Sequence, residues 1–339
     1  MMTNKYLFKI FFILVMVLQL NCESKREALG ADNEIRVICS DVDREIIESY
    51  LKNIFTDTIY TPEPEPYYYL KFSNPNTYNE LKAQSKVVIA AVSRDNGNPG
   101  LQLVKKLLPE KQFETMINLD PVLISKNVFA KNQLFIVINA LTKDQLFDTI
   151  KKKKNNYRKI FNDNFKSRQK KFIFGVDRNR GIEDSLINEY GWSMKIPWGW
   201  INIKNNKDSN FVWLGKEMPF QWIGISWYEG NHISEMNLIQ SGEFLWEWPK
   251  KFYKNIQFND HKFKLDETDF NGFKAWRLKG VWETIDMIEA KGGPFCSYFF
   301  YNKSINKTFH FNYLIHHPGK NKSINMRQMD LIIKSFIVE

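Results

Sequence analysis

The chain has 339 residues, of which 43% are apolar and 15% aromatic, enough to build one large or two ordinary domains and too many for a disordered polymer. Its formal charge of +10 does not make it a nucleic-acid binder. The basic excess is spread among acids, and neither a zinc-finger spacing nor a basic helix with heptads occurs.

Lys5 and Lys9 precede an uncharged apolar run over residues 10–18, and Gln19-Leu20-Asn21 leads to Cys22. The run is shorter than the roughly 20 residues that span a bilayer and fits the hydrophobic region of a secretory signal. A cysteine placed directly after it can accept lipid through its thiol. The expected leader is therefore a lipoprotein signal peptide, 1–21, with Cys22 as the lipidation site bearing palmitate-type acyl chains. Leu18, four residues before Cys22, suits a lipoprotein cleavage box, whereas Asn21 is bulkier than the small residue expected there. The alternatives are an ordinary secretory signal with an incidental cysteine, or an uncleaved anchor. Residues 22–32 lack apolar periodicity and read as a lipidated, flexible tether.

An N-terminal α/β-type domain is expected over 33–170. Residues 35–39 form a strand, and Asp41 caps a helix whose apolar face is Val42, Ile46, Ile47, Tyr50, Leu51, Ile54 and Phe55. Pro62, Pro64 and Pro66 force an extended connection. Strands follow at 67–72, 87–92, 122–129 and 134–140, with a turn cluster at 96–100. A long helix then carries Leu146, Phe147, Ile150, Tyr157, Ile160, Phe161 and Phe165 as its buried stripe. Lys151-Lys152-Lys153-Lys154 forms its solvated face, with contact to an anionic membrane surface as the weaker reading.

The domain boundary is expected between 170 and 181, because all ten tryptophans lie beyond it. The C-terminal domain, 181–339, shows short strands at 199–203, 210–215, 221–228, 273–282, 295–301 and 308–315. Asn271-Gly272 marks a hairpin. A helix over 238–252 should end or distort near Pro249, and the last helix buries Met326, Met329, Ile332, Ile333 and Phe336. The fold class is α+β: two domains, each a mixed or antiparallel sheet with helices packed on it.

None of the familiar catalytic spacings occurs: no nucleophile elbow, no zinc-protease helix motif, no paired-cysteine redox motif and no phosphate-cradling glycine loop. His316-His317 points to opposite faces of a strand, and His310 lies roughly 20 Å from His316 along it. No metal site and no cofactor is expected. Cys39 and Cys296 could pair in an oxidising compartment, but both sit in apolar strand-like runs, which favours two free buried thiols. Glu283, Asp286 and Glu289 read as a solvated connection. The tryptophans could stack on sugars or peptide side chains, although core filling accounts for most of them. Trp222 and Trp227 should face opposite sides of their strand, leaving at least one partly exposed. On the strand through 277, Arg277 and Lys279 share one face, which Glu283 joins. Trp276, Leu278, Gly280 and Trp282 share the other, which belongs in the core. Arg277, Lys279 and Glu283 are thus the candidate binding residues for an anionic partner.

Several strings resemble an uncharacterised family of bacterial envelope lipoproteins, the domain of unknown function 4837, found in one broad group of Gram-negative bacteria. They include Pro62-Glu63-Pro64-Glu65-Pro66, Val128-Phe129-Ala130-Lys131-Asn132-Gln133, Arg277-Leu278-Lys279-Gly280-Val281-Trp282-Glu283, Gly292-Gly293-Pro294-Phe295 and Arg327-Gln328-Met329-Asp330. The resemblance covers nearly the whole chain after the leader, though residues 235–260 depart from it. It implies an envelope lipoprotein and adds no activity; the expected location is the cell envelope of a Gram-negative bacterium, lipid-anchored, with the outer membrane favoured over the inner. Ile196-Pro197-Trp198-Gly199-Trp200 and the closing helix also resemble the small α+β sheet of the PsbP type. The expected role is non-catalytic binding or scaffolding in the cell envelope, with an envelope protein or glycan as partner and no nucleic acid. The alternative is a hydrolase of envelope polymers with Glu283 or a neighbour as its acid.

Overall fold

A computed structural model describes residues 25–339 apart from Pro62, Val176, Glu235, Met287 and Glu289. The expected leader and Cys22 lie outside the described residues. The chain forms two compact units. One takes the described residues up to Ala31 with Ile35–Arg44 and Lys71–Leu146; the other takes Asp32–Glu34, Glu45–Leu70 and Phe147–Glu339. The break in composition at 170–181 is therefore not the structural division. Tryptophan content reports where large rings are needed, whereas the long helix is assigned by what its stripe packs on.

The first unit is built on β1 (Glu34–Cys39), β2 (Tyr69–Ser73), β3 (Lys86–Ala91), β4 (Val122–Lys126) and β5 (Leu134–Asn139). Their order is β2-β1-β3-β5-β4. β3 runs parallel to both β1 and β5, and β4 is antiparallel to β5. Every residue of β3 and β5 is buried, as expected of interior strands in a sheet covered on both faces. Ile38, Ile89, Val104 and Val137 anchor its core. The stretch expected to be a loose tether is pinned where it is described. The Ala28 amide donates to Lys131 O at 3.0 Å and the Leu29 amide to Ala83 O at 3.0 Å. Backbone pairing of this kind needs no side-chain pattern, so composition could not signal it.

The second unit contains most of α1 (Asp41–Ile54) and of α4 (Lys143–Phe174), the chain between them carrying α2 (Pro99–Leu107) and α3 (Glu110–Asn118) of the first. Tyr50 and Thr149 share a hydrogen bond of 2.9 Å, and Phe55, Tyr68 and Phe161 pack ring on ring. Beyond these come α5 (Arg180–Tyr190), β6 (Ile201–Asn206), β7 (Phe211–Lys216), β8 (Phe220–Glu229), α6 (Leu238–Tyr253), β9 (Ile256–Phe270), β10 (Phe273–Thr284), β11 (Gly292–Asn302), β12 (Lys307–His316) and α7 (Ser323–Ile333). The sheet order is β9-β10-β11-β12-β8-β7-β6, antiparallel throughout. This unit is α+β as the sequence predicts.

Alternation along the strands divides the sheet's two faces. Ala275, Cys296, Tyr298, Phe300, Phe311 and Tyr313 face the helix α7 through Met326, Met329 and Ile333. Trp276, Leu278, Trp282, Phe295 and Phe299 face α6 through Leu245, Trp248 and Tyr253. Helix α6 begins with a capping box at Asn237 and runs to Tyr253 with Pro249 inside it. It does not end at the proline, because packing of Trp248, Phe252 and Tyr253 holds the last turn. Gly224 lets α6 come close: a Cβ there would lie 2.3 Å from the Tyr253 hydroxyl. At Asn271-Gly272 both φ angles are positive, 53° and 91°, the geometry of a two-residue type I′ hairpin.

A cation-lined cavity as candidate functional site

Arg277 and Lys279 lie on β10, two residues apart and therefore on one face. That face meets α7 and residues of α4 around a cavity of about 160 Å³. Lys166, Arg277, Lys279, Arg327 and Lys334 border it, against the single carboxylate of Asp330. Tyr67, Tyr298 and Tyr313 supply hydroxyls. The balance of charge favours an anion.

Each charged group has a definite environment. Arg277 makes a fork with Asp266 across the β9–β10 pair, Nε to Oδ1 at 3.0 Å and Nη2 to Oδ2 at 2.6 Å. Burial works against the guanidinium charge, but the bond and charge of Asp266 outweigh it and hold the Arg277 pKa above its usual value. Burial likewise pushes the Asp266 carboxyl up, and Arg277, helped by Lys279 and Lys264, brings it below its usual range. Arg327 lies 3.3 Å over the centre of the Phe165 ring. It donates to the Tyr68 hydroxyl at 3.1 Å and to Asn162 Oδ1 at 3.0 Å. Asp330 is taken up by Tyr298, Tyr313 and Lys334, at 2.8, 3.3 and 3.0 Å. Lys279 is half-buried and has no ion-pair partner among the described residues.

Nucleophilic chemistry is poorly served here. Burial pushes the Cys296 thiol up, and it drives the Tyr298 and Tyr313 phenols well above their usual range, with Asp330 adding to both. Cys39 is pushed up to about 12, mainly by burial. Both cysteines are free and buried, as the sequence suggests.

The structure separates one candidate from the other two. Glu283 does share the parity of Arg277, but it accepts from Gln257 at 3.0 Å and Asn259 at 3.3 Å and does not line the cavity. Four residues of strand, about 13 Å, keep it from Lys279. Trp282 is fully buried, its Nε1 donating to Ile315 O at 3.1 Å. Trp227 is buried and Trp222 half-buried, on opposite faces. His316 binds Gly292 O at 2.9 Å. Among the described residues no group of three potential metal ligands occurs, and no helix is long and apolar enough to cross a membrane.

Sequence reasoning missed Asp266, Arg327 and Asp330. The last two stand three apart on α7, beside the apolar positions Met326 and Met329, and that spacing alone could have put them on one helical face. Another concavity, of about 320 Å³, is walled by Trp246, Phe263 and Leu278 and rimmed by Glu243, Glu247 and Asp260. It gathers three acids beside aromatic walls, the arrangement that a hydrolase of envelope polymers would need. All three acids are exposed, however, so no difference in surroundings sets one apart as acid from another as base.

Residues 249–335 match the domain of unknown function DUF4837, and residues 28–173 match a second, DUF8532. The strings at 62–66 and 128–133 thus fall in the second match, and DUF4837 itself is confined to the C-terminal part. No curated protein matches. Among solved structures, a protein of Bacteroides thetaiotaomicron VPI-5482 is 10% identical with a TM-score of 0.28, over 44% of this chain and 45% of that one. The match thus spans under half of that protein. The Ran-binding protein Mog1p of Saccharomyces cerevisiae is 9% identical with a TM-score of 0.31, over 44% of this chain and 90% of its own. LpqN, involved in cell envelope biogenesis of Mycobacterium tuberculosis, is 11% identical with a TM-score of 0.27, over 43% of this chain and 82% of its own.

Proposed function

We propose, on the premise that residues 249–335 are a DUF4837 domain, that this chain is a lipid-anchored, non-catalytic binding protein of the cell envelope. In this reading it holds a small anionic group of an envelope partner, protein or glycan, between Arg277, Lys279 and Arg327. The observation that carries it is Lys279: a half-buried residue lining a cavity, with no carboxylate in ion-pair range among the described residues, beside the ring-stacked Arg327. Five cations border the cavity against the one carboxylate of Asp330, an excess of positive charge that a bound anion would balance through charge-assisted hydrogen bonds. What supports an envelope location is the short apolar run at 10–18 followed closely by Cys22, with the outer membrane of a Gram-negative cell as the expected site.

The test is thermal unfolding in sodium phosphate against sodium chloride at matched ionic strength. Phosphate at ten times its dissociation constant should add about 1.4 kcal/mol of stability, and Lys279→Met should abolish that gain. An equal gain in both proteins, or none in either, overturns the site. The anchor is tested separately by Cys22→Ser, which should leave an unlipidated protein. A variant that still runs as a processed, acylated species overturns the lipoprotein reading.

A further inference from the structure

The end of α4 reads Lys170-Lys171-Phe172-Ile173-Phe174, and Phe172 stands 71% exposed. Trp198, in the loop before β6, is 74% exposed, and Met218, in the turn between β7 and β8, is 87% exposed. Phe172, Trp198 and Pro219 border one cleft of about 440 Å³, with Trp200 and Ile332 at its base. Three segments remote in sequence thus bring their tips together, each with a large apolar side chain in water. Such clustering marks an interaction surface, unlike singly scattered apolar residues.

The charges around these tips indicate the partner. Lys216 lines the cleft, Lys195 holds its Nζ 5.8 Å above the Phe174 ring, and Lys170 lies two residues before Phe172. None of these three lysines has an ion-pair partner among the described residues, and the acids at hand are Asp177, on the cleft, and Glu217, beside Met218. Separate protruding tips do not offer a rigid protein a flat face. They suit the headgroup region of a bilayer, where a tryptophan ring bridges the polar and apolar layers and lysines reach lipid phosphates.

We infer that this face rests on an anionic lipid surface, with Phe172, Trp198 and Met218 entering the headgroup layer and Lys170, Lys195 and Lys216 meeting lipid phosphates. The contact does not depend on the lipid at Cys22 or on the anion cavity. It is tested with the chain from residue 22 onward carrying Cys22→Ser, co-sedimented with phosphatidylglycerol–phosphatidylcholine vesicles and with pure phosphatidylcholine vesicles. Binding should be at least about fivefold stronger to the anionic vesicles and fall with salt. Combined Phe172→Ser, Trp198→Ser and Met218→Ser should weaken it about tenfold or more, with the melting temperature nearly unchanged because all three side chains are exposed. Lys279→Met should bind vesicles like the wild type, which separates this contact from the cavity. Absence of binding, equal binding to both vesicle types, or a triple variant that sediments like the wild type overturns the inference. So does a triple variant that loses only a protein partner.

Discussion

The two faces of β10 are made by one strand and behave as two materials. Toward α6, Trp276, Leu278 and Trp282 enter a layer of rings in which Phe258 stacks on Phe295 with centroids 3.6 Å apart. Toward α7, Arg277 and Lys279 border a polar cavity whose charges are settled by forks, phenols and ring stacking. The first face stores stability through close packing, so any loss of volume there is felt throughout the unit. The second leaves room, and its charges can be rearranged at modest cost. A binding site at the Arg277 face is affordable because the opposite face secures the strand.

The largest effect should come from breaking the packed face. Trp282→Ala removes a fully buried ring and its bond to Ile315 O, and should cost roughly 3–5 kcal/mol, measured by denaturant unfolding. A loss below about 1 kcal/mol would mean that the α6 layer collapses around the gap and is not close-packed.

His310 probes the same face by pH. It lies in the ring layer 4.3 Å from Trp248, and neither ring nitrogen has a hydrogen-bond partner among the described residues. Burial holds its pKa down to about 3, against 6.5 for an ordinary histidine. The unfolded chain takes up a proton near 6.5 that the folded chain refuses until about 3. Stability is therefore complete above pH 6.5 and is lost as pH falls, by about 1.4 kcal/mol per unit. His310→Phe should match the wild type near pH 7 and exceed it by about 3 kcal/mol at pH 4. Identical acid limbs in the two proteins would show that water reaches the ring.

How far the sequence discloses these two faces follows from the strands concerned. Alternation along β10 suffices to bury Trp282 and to put Arg277 beside Lys279, because the strand is regular. Its neighbour β9 hides the partner of Arg277. It reads Ile-Gln-Phe-Asn-Asp-His-Lys-Phe-Lys-Leu-Asp-Glu-Thr-Asp-Phe, polar on both faces, and its register shifts between Phe258 and Phe263. A bulge resets the parity, so no period-two pattern survives to mark the strand or to aim Asp266 at Arg277. Arg327 and Asp330 come from α7, some fifty residues away, and only the fold brings them to the cavity. Glu283 fails for a different reason. Parity gives the face but not the distance along it.

The smallest and most informative change is Asp266→Asn, which breaks the fork on the cavity face while keeping its shape. Asp266 and Arg277 are 27% and 24% exposed, between a surface pair worth under 1 kcal/mol and a fully buried one worth several. A loss of about 1–2 kcal/mol at pH 7 is expected, well below that of Trp282→Ala. The pH dependence carries the sign. Because Asp266 is held below its ordinary 3.8, its contribution is complete above about pH 4 and disappears as pH falls further. The variant should lack that part of the acid limb and converge on the wild type at low pH. Its effect on the anion is opposite to that of Lys279→Met. With its carboxylate partner neutralised, the Arg277 fork can turn part of its charge to the cavity, and phosphate should stabilise the variant more than the wild type. A variant that instead loses phosphate protection would show that Asp266 holds Arg277 in its binding position. The fork would then be part of the site and not a competitor for it.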